Sequence, residues 1–253
     1  MRPYTDLVAE AEQADVTGWD FSWLQGRATE ERTPWGYAGQ LAQRLAHAHS
    51  ALDLDTGGGE IIAGAPELPA HMTVTEAWAP NLARAAQTLT PRGVNVVHYS
   101  TENLPFADAT FDLVTSRHPV RPAWAQIARV LRPGGTYFAQ HVGPASAFEL
   151  IEHFLGPLPR ETHVRDPRRE SDDATNAGLQ VVDLRTARCR MEFHDVGAVV
   201  WILRRCVWWV PGFTVARYEP HLRALDETMR GGEPFVAHST RTLIEARRPT
   251  RTA

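Results

Sequence analysis

The chain has 253 residues, 43% hydrophobic and 22% charged, with a formal net charge of −4; that is enough to bury a full core, and one domain with additions is expected. The acidic balance excludes a dominant nucleic-acid footprint, and no run approaches the ~18 consecutive apolar residues of a membrane span. All 26 basic residues are arginine, which excludes the lysine-dependent phosphate loop and Schiff-base chemistry.

In chain order, residues 1–49 read as a mostly helical lead-in, with Leu41 and Leu45 marking a helix before the first strand. "ALDLD" (51–55) suits a buried strand, the glycines after it a turn, and "MTVTEAW" (72–78) the next β-type run, with a short helix in the interval. Pro80 opens a helix whose Leu82, Ala85, Ala86 and Leu89 share one face of a 3.6-residue period. "GVNVVHY" (93–99), "FDLVTS" (111–116) and "TYFAQHV" (136–142) are three further strands. A helix bearing Trp124, Ile127, Ala128 and Leu131 precedes the last of them and stops at Pro133, Gly134 and Gly135.

Strands alternating with helices predict an α/β fold: a doubly wound, mostly parallel, Rossmann-like sheet that binds its ligand at the carboxyl ends of the strands. Residues 158–176 read as a charged surface loop that could be mobile. "LQVVDL" and "FVAHSTRTLIEA" are strands around a tryptophan-rich insert at 196–234. The expectation is a single domain over 1–253: lead-in or lid at 1–49, cofactor core at 50–195, insert at 196–234, final strand and tail at 235–253. The start lacks an apolar signal-peptide core, and Cys189 and Cys206 cannot make a disulfide framework or a cysteine-rich zinc site. A cytoplasmic protein is expected.

The turn "LDLDTGGGE" (52–60) lets backbone approach a ligand closely. Asp53 lies inside the strand and Glu76 ends the second strand, 21 residues after Asp55, where a carboxylate can accept from both hydroxyls of a ribose. Singly, each has a structural explanation: a tight turn, a buried hydrogen-bonding acid, a cap for the helix at Pro80. A dinucleotide fingerprint needs a third glycine where Ile62 stands, so a nicotinamide ligand is disfavoured against a single adenosine without a pyrophosphate.

These residues resemble the class I S-adenosylmethionine-dependent methyltransferases, in the small-molecule branch with a ubiquinone-biosynthesis-like pattern. "LDLDTGGGE" is similar to that family's first motif, "NLPFADATFDLV" (103–114) to its approach to the fourth strand, and "VLRPGGTYFAQ" (130–140) to its turn into the fifth, so the resemblance covers roughly 50–142. It implies about seven strands with the last antiparallel, S-adenosylmethionine as cofactor and S-adenosylhomocysteine as product. By the resemblance, Asp53, Gly57 and Gly59 surround the methionine part, Glu76 the ribose, and Ala77 or Trp78 the adenine, with Asp55 and Thr56 of the same turn also in the cofactor site. The family usually has glycine at Asp55 and an acidic residue at Ser100, for which Thr101, Glu102 and Asn103 are nearby substitutes at the adenine amino group.

The expected reaction moves a methyl group to an oxygen or nitrogen of a small-molecule acceptor by in-line displacement, where alignment supplies up to ~7 to 11 kcal/mol. A hydroxyl or ammonium acceptor also needs a base. His118, directly after the fourth strand, is placed for that role, with His141 in reserve; Arg117 suits an acidic substrate or a surface ion pair. Of the aromatic residues outside the core, Trp19, Trp23, Tyr37 and Trp209 are expected to line a lid over the acceptor, the remainder to pack in cores. No histidine pair has the spacing of a metal site. The expected partners are a small molecule, with no nucleic acid and no membrane, in a monomer or homodimer. The alternatives are a cofactor-binding protein without catalysis, an RNA methyltransferase and, last, a nicotinamide-dependent oxidoreductase.

Overall fold

The computed structural model describes residues 2–16, 20–99, 103–159 and 165–250. These form two compact units: one of Met1–Arg32, Ala145–Glu161 and Arg188–Thr240, the other of Thr33–Pro144, Thr162–Ala187 and Arg241–Ala253.

The second unit carries the parallel sheet. Its strands are β2 (Ser50–Leu54), β3 (His71–Glu76), β4 (Asn95–His98), β5 (Phe111–Arg117) and β6 (Leu131–Val142), together with parts of β7 (Gln180–Phe193) and β8 (Phe235–Arg247). They hydrogen-bond in the order β7-β8-β6-β5-β2-β3-β4. The five strands from β6 to β4 are mutually parallel, and β8 is antiparallel to β6.

Both faces are covered, which is why the strands read as continuous apolar runs rather than alternating ones. Ala51, Leu113, Phe138 and Leu243 pack in one cluster with Leu41 and Leu45 of α2 (Tyr37–His47) and Ala85 and Leu89 of α4 (Ala79–Leu89). The alternate residues Leu52, Val114, Tyr137 and Ile244 pack on the other face with Trp124 and Ile127 of α5 (Trp124–Val130). All five residues of β2 are buried, and each of its leucines contributes ~1.5–3 kcal/mol.

Several boundaries differ from the sequence reading. The buried face of α4 is Asn81, Ala85 and Leu89, an i, i+4, i+8 row with Leu82 and Ala86 at its margin. Leu131 begins β6 instead of ending a helix, and the Pro-Gly-Gly run lies inside that strand, where pairing jumps from Phe111↔Leu131 to Leu113↔Thr136. A Cβ at Gly135 would sit 2.9 Å from the Arg132 carbonyl and 3.1 Å from those of Phe111 and Asp112, so only glycine passes there. The charged segment expected to be a loop contains α7 (Pro167–Asn176), started by Pro167 and capped by Asp166, whose Oδ1 accepts from the Arg168 N–H at 3.0 Å.

The first unit has its own core. Helix α8 (Val196–Arg205) is buried nearly all round and packs with Leu7, Val8 and Ala11 of α1 (Tyr4–Gln13). Phe154 of α6 (Phe148–Leu155) meets Tyr218 of α9 (Val215–Arg230) edge-on, with ring centres 5.6 Å apart. A three-residue strand not expected from the sequence, β1 (Ala28–Glu30), pairs antiparallel with residues 191–193 of β7. Cys189 and Cys206 are both buried in this unit, and burial pushes the Cys206 thiol up to about 12. No helix among the described residues is long and apolar enough to cross a membrane.

Candidate active site

The turn after β2 is built from left-handed residues, Asp55 (φ 53°), Gly57 (φ 66°) and Gly59 (φ 83°). At Gly59 a side chain is excluded twice, by this backbone angle and because a Cβ would lie 2.7 Å from Leu89 Cδ1. The turn is tied to β3 at two points: the Thr56 N–H donates to the Thr75 carbonyl at 3.0 Å, and the Gly57 N–H to Glu76 Oε2 at 2.9 Å. Glu76 Oε1 accepts from the Trp78 N–H at 2.8 Å. The buried carboxylate is thus held by two backbone donors, each oxygen keeping a further lone-pair site.

Two more acids lie in or beside the turn. Asp53 is buried in β2; its Oδ1 accepts from the Thr115 hydroxyl at 2.6 Å, while Oδ2 has no hydrogen-bond partner. Burial pushes Asp53 up to about 6, against the opposing pulls of the Thr115 and Thr56 hydroxyls. Asp55 is likewise raised to about 6, by burial and then by the negative charge of Glu76. The hydroxyl of Thr56 is also buried, beside the Asp53 carboxyl but without a hydrogen bond of ordinary geometry. The backbone thus presents two unsatisfied polar side chains and a doubly held carboxylate at one edge of the sheet. These fit a polar group carrying hydroxyls and an amine, as S-adenosylmethionine does.

Trp78 is 53% exposed, and His98 Nε2 donates to the Ala77 carbonyl at 2.9 Å. Asn103 is exposed. Trp19, Ser100, Thr101 and Glu102 lie outside the described residues.

At the end of β5 the exposed Arg117 is followed by His118, itself left-handed (φ 61°), whose N–H donates to the Gln140 carbonyl at 2.7 Å. His118 Nε2 lies 3.1 Å from Gln140 Nε2. Burial, and then the charges of Arg241, Arg117, His141 and Arg165, hold the ring well below the ordinary histidine range.

Two expected acceptor contacts are committed to structure. Tyr37 is buried, stacked on Phe138 at 5.2 Å, and donates to the Ser116 carbonyl at 3.1 Å, so its position in α2 makes it core instead of lid. Burial, then the Asp53 charge, raises its phenol well above the usual value. His141 is fully engaged: Nδ1 donates to Glu170 Oε2 at 2.8 Å and Nε2 accepts the Tyr137 hydroxyl at 2.9 Å. With only 2% of its side chain exposed, it links β6 to α7 and leaves no nitrogen for a substrate. Trp23 and Trp209 belong to the first unit, where Trp23 stacks on Trp201 at 5.8 Å and Trp209 packs against the α8 core. Among the described residues no group of three His, Cys, Asp or Glu is placed to hold a metal.

The sequence reading missed Gln140 and the partners that orient it. A lone amide within the apolar β6 was the available signal, because a buried polar side chain in a central strand needs a partner.

Residues 52–139 match the family model described as a methyltransferase domain. Among solved structures, the chain is similar to a Bacillus halodurans C-125 protein assigned as a methyltransferase, at 18% identity and TM-score 0.62, covering 84% of this chain and 99% of that one. It is also similar to the YcgJ protein of Bacillus subtilis, at 20% identity and TM-score 0.61, covering 84% and 98%. A third likeness is to a geranyl diphosphate methyltransferase in complex with S-adenosylmethionine, at 16% identity and TM-score 0.51, covering 83% and 84%. No curated protein matches the sequence. Residues 52–139 are thus similar to the methyltransferase domain family, and the solved structures share the fold.

Proposed function

We propose that the protein methylates an oxygen or nitrogen of a small-molecule acceptor at the carboxyl edge of β2, β3 and β5. The observation that carries this reading is Glu76, buried and pinned between the glycine turn and Trp78 with a lone-pair site left on each oxygen. S-adenosylmethionine, when bound, supplies an electrophilic methyl group on a sulfonium.

The chain's own residues bind and orient. Glu76 accepts from the two ribose hydroxyls; Trp78 and Ala77 flank the adenine, with Asn103 toward its amino edge. The unpartnered Asp53 Oδ2 and Thr56 Oγ1, with the backbone of Asp55, Gly57 and Gly59, hold the amino-acid end. His118 and Arg117, at the end of β5, face the acceptor. The acidic balance, 30 Asp and Glu against 26 Arg, favours a small molecule over nucleic acid.

Calorimetry tests the cofactor half. S-adenosylhomocysteine binds and NAD(H) does not, and Glu76→Ala weakens the former by about 10- to 100-fold, the value of hydrogen bonds to a charged acceptor worth ~1.5–3 kcal/mol. An unchanged dissociation constant in the variant removes Glu76 from the site.

A further inference from the structure

A hydrogen-bonded chain ending at His118 determines which ring nitrogen carries its proton. The indole of Trp35 is a donor only, and it donates to Gln140 Oε1 at 2.8 Å; the Thr33 hydroxyl adds a longer bond at 3.4 Å. The amide oxygen of Gln140 is therefore the atom facing Trp35, and the amide nitrogen is the atom 3.1 Å from His118 Nε2. An amide nitrogen donates and does not accept, so Nε2 must present its lone pair and cannot bear a proton.

Turning the amide over would place its nitrogen against the indole N–H, and both Trp35 and Gln140 are buried, so no water replaces the lost bond. The neutral ring then carries its proton on Nδ1. A second proton would meet the amide hydrogens at Nε2 and four neighbouring groups that are or can become cationic: Arg117 of β5, His141 of β6, Arg165 before α7 and Arg241 of β8.

We propose, on the reading of this edge as the acceptor site, that Trp35 and Gln140 are positioning residues. They hold His118 as the neutral Nδ1–H tautomer, a hydrogen-bond donor and not a base, so that the acceptor arrives with its attacking oxygen already ionised. A ring whose only lone pair is engaged by Gln140 takes no proton from a hydroxyl or an ammonium. Methylation of an oxyanion needs no such transfer, because the oxygen contributes the electron pair of the new bond, the C–S pair stays with sulfur, and no proton is released. The strand registers add positive charge on the same face: Arg117 lies opposite Gln140, and Arg241 opposite Val142, two residues along β6. The acceptor class is a carboxylate or phenolate-type oxyanion.

Nitrogen NMR of the protein labelled at histidine, with His118 assigned by difference against His118→Gln, reads the tautomer directly. We expect a protonated Nδ1 and a bare Nε2, unchanged as the pH falls through the range in which exposed histidines titrate. Gln140→Glu replaces the donor with a carboxylate and should move the proton to Nε2 and raise the ring's titration by at least about one pH unit, as an adjacent carboxylate does. Gln140→Met should leave a mixture of tautomers. Wild-type His118 protonated at Nε2, or a pattern indifferent to Gln140→Glu in folded protein, overturns the positioning claim. These spectra need neither cofactor nor acceptor, so they stand apart from S-adenosylhomocysteine binding. For the acceptor, a metabolite extract treated with methyl-labelled cofactor should yield labelled esters or aryl ethers. Label in N-methyl products of ammonium compounds, or no label at all, overturns the oxyanion assignment.

Discussion

Asp55 is held in a left-handed conformation that costs most L residues ~1–2 kcal/mol and aspartate less. Its carboxyl is raised from 3.8 to about 6 by burial and by Glu76. The folded state therefore holds the proton more tightly than the unfolded one: the contribution to stability is complete below about pH 4 and is lost as the pH rises through about 6. Asp55→Asn, which keeps the tolerance for a left-handed backbone and removes the charge, should raise the melting temperature at pH 8 by about 2–4 °C, the equivalent of ~1 kcal/mol in a chain of this size. The gain should vanish near pH 4; a gain of equal size at both pH values would show that charge is not its origin. Asp53, Gly57 and Glu76 were legible in the sequence, because strand, turn and acid at that spacing are a linear signature. Tyr37 and His141 were not, since what commits them is the Ser116 carbonyl in one case and Glu170 and Tyr137 in the other, partners that only the folded chain brings near.

At the scale of elements, the alternation of buried strands and periodic helices from 50 to 142 could be read directly, because burial on both faces leaves uninterrupted apolar runs. Helix α7 could not: Ala174 is its one buried residue, so it has almost no apolar stripe to detect. Its attachment is polar. Glu170, with 13% of its side chain exposed, accepts from His141, a ring buried beneath it. Glu170→Ala should cost ~1–3 kcal/mol by leaving the His141 N–H unpaired, and amide exchange in 167–176 should quicken while β5 stays protected. Glu170→Gln, which keeps an acceptor, should recover most of the loss. Equal effects of the two variants would mean that shape, not the hydrogen bond, holds the helix. Strand β1 escaped notice for another reason: three residues, none of them buried, carry no period.

For the whole molecule, the continuous sequence blocks expected at 1–49, 50–195, 196–234 and 235–253 stand against two compact units that each draw on three segments of chain. Linear reading groups neighbours in sequence, whereas α1 and α8, nearly 200 residues apart, share one core. S-adenosylhomocysteine at ~100 times its dissociation constant should add ~2.7 kcal/mol to the state that binds it. In deuterium exchange, that protection should centre on 52–59 and 74–78, and NAD(H) should produce none. The thiols offer a complementary view of the same chain. Both lie inside the first unit, buried, with Cys206 too weak an acid to react while folded, and the second unit contains none. A maleimide added to native protein is therefore a stopwatch for the unit that holds both thiols, ticking when their burial is lost.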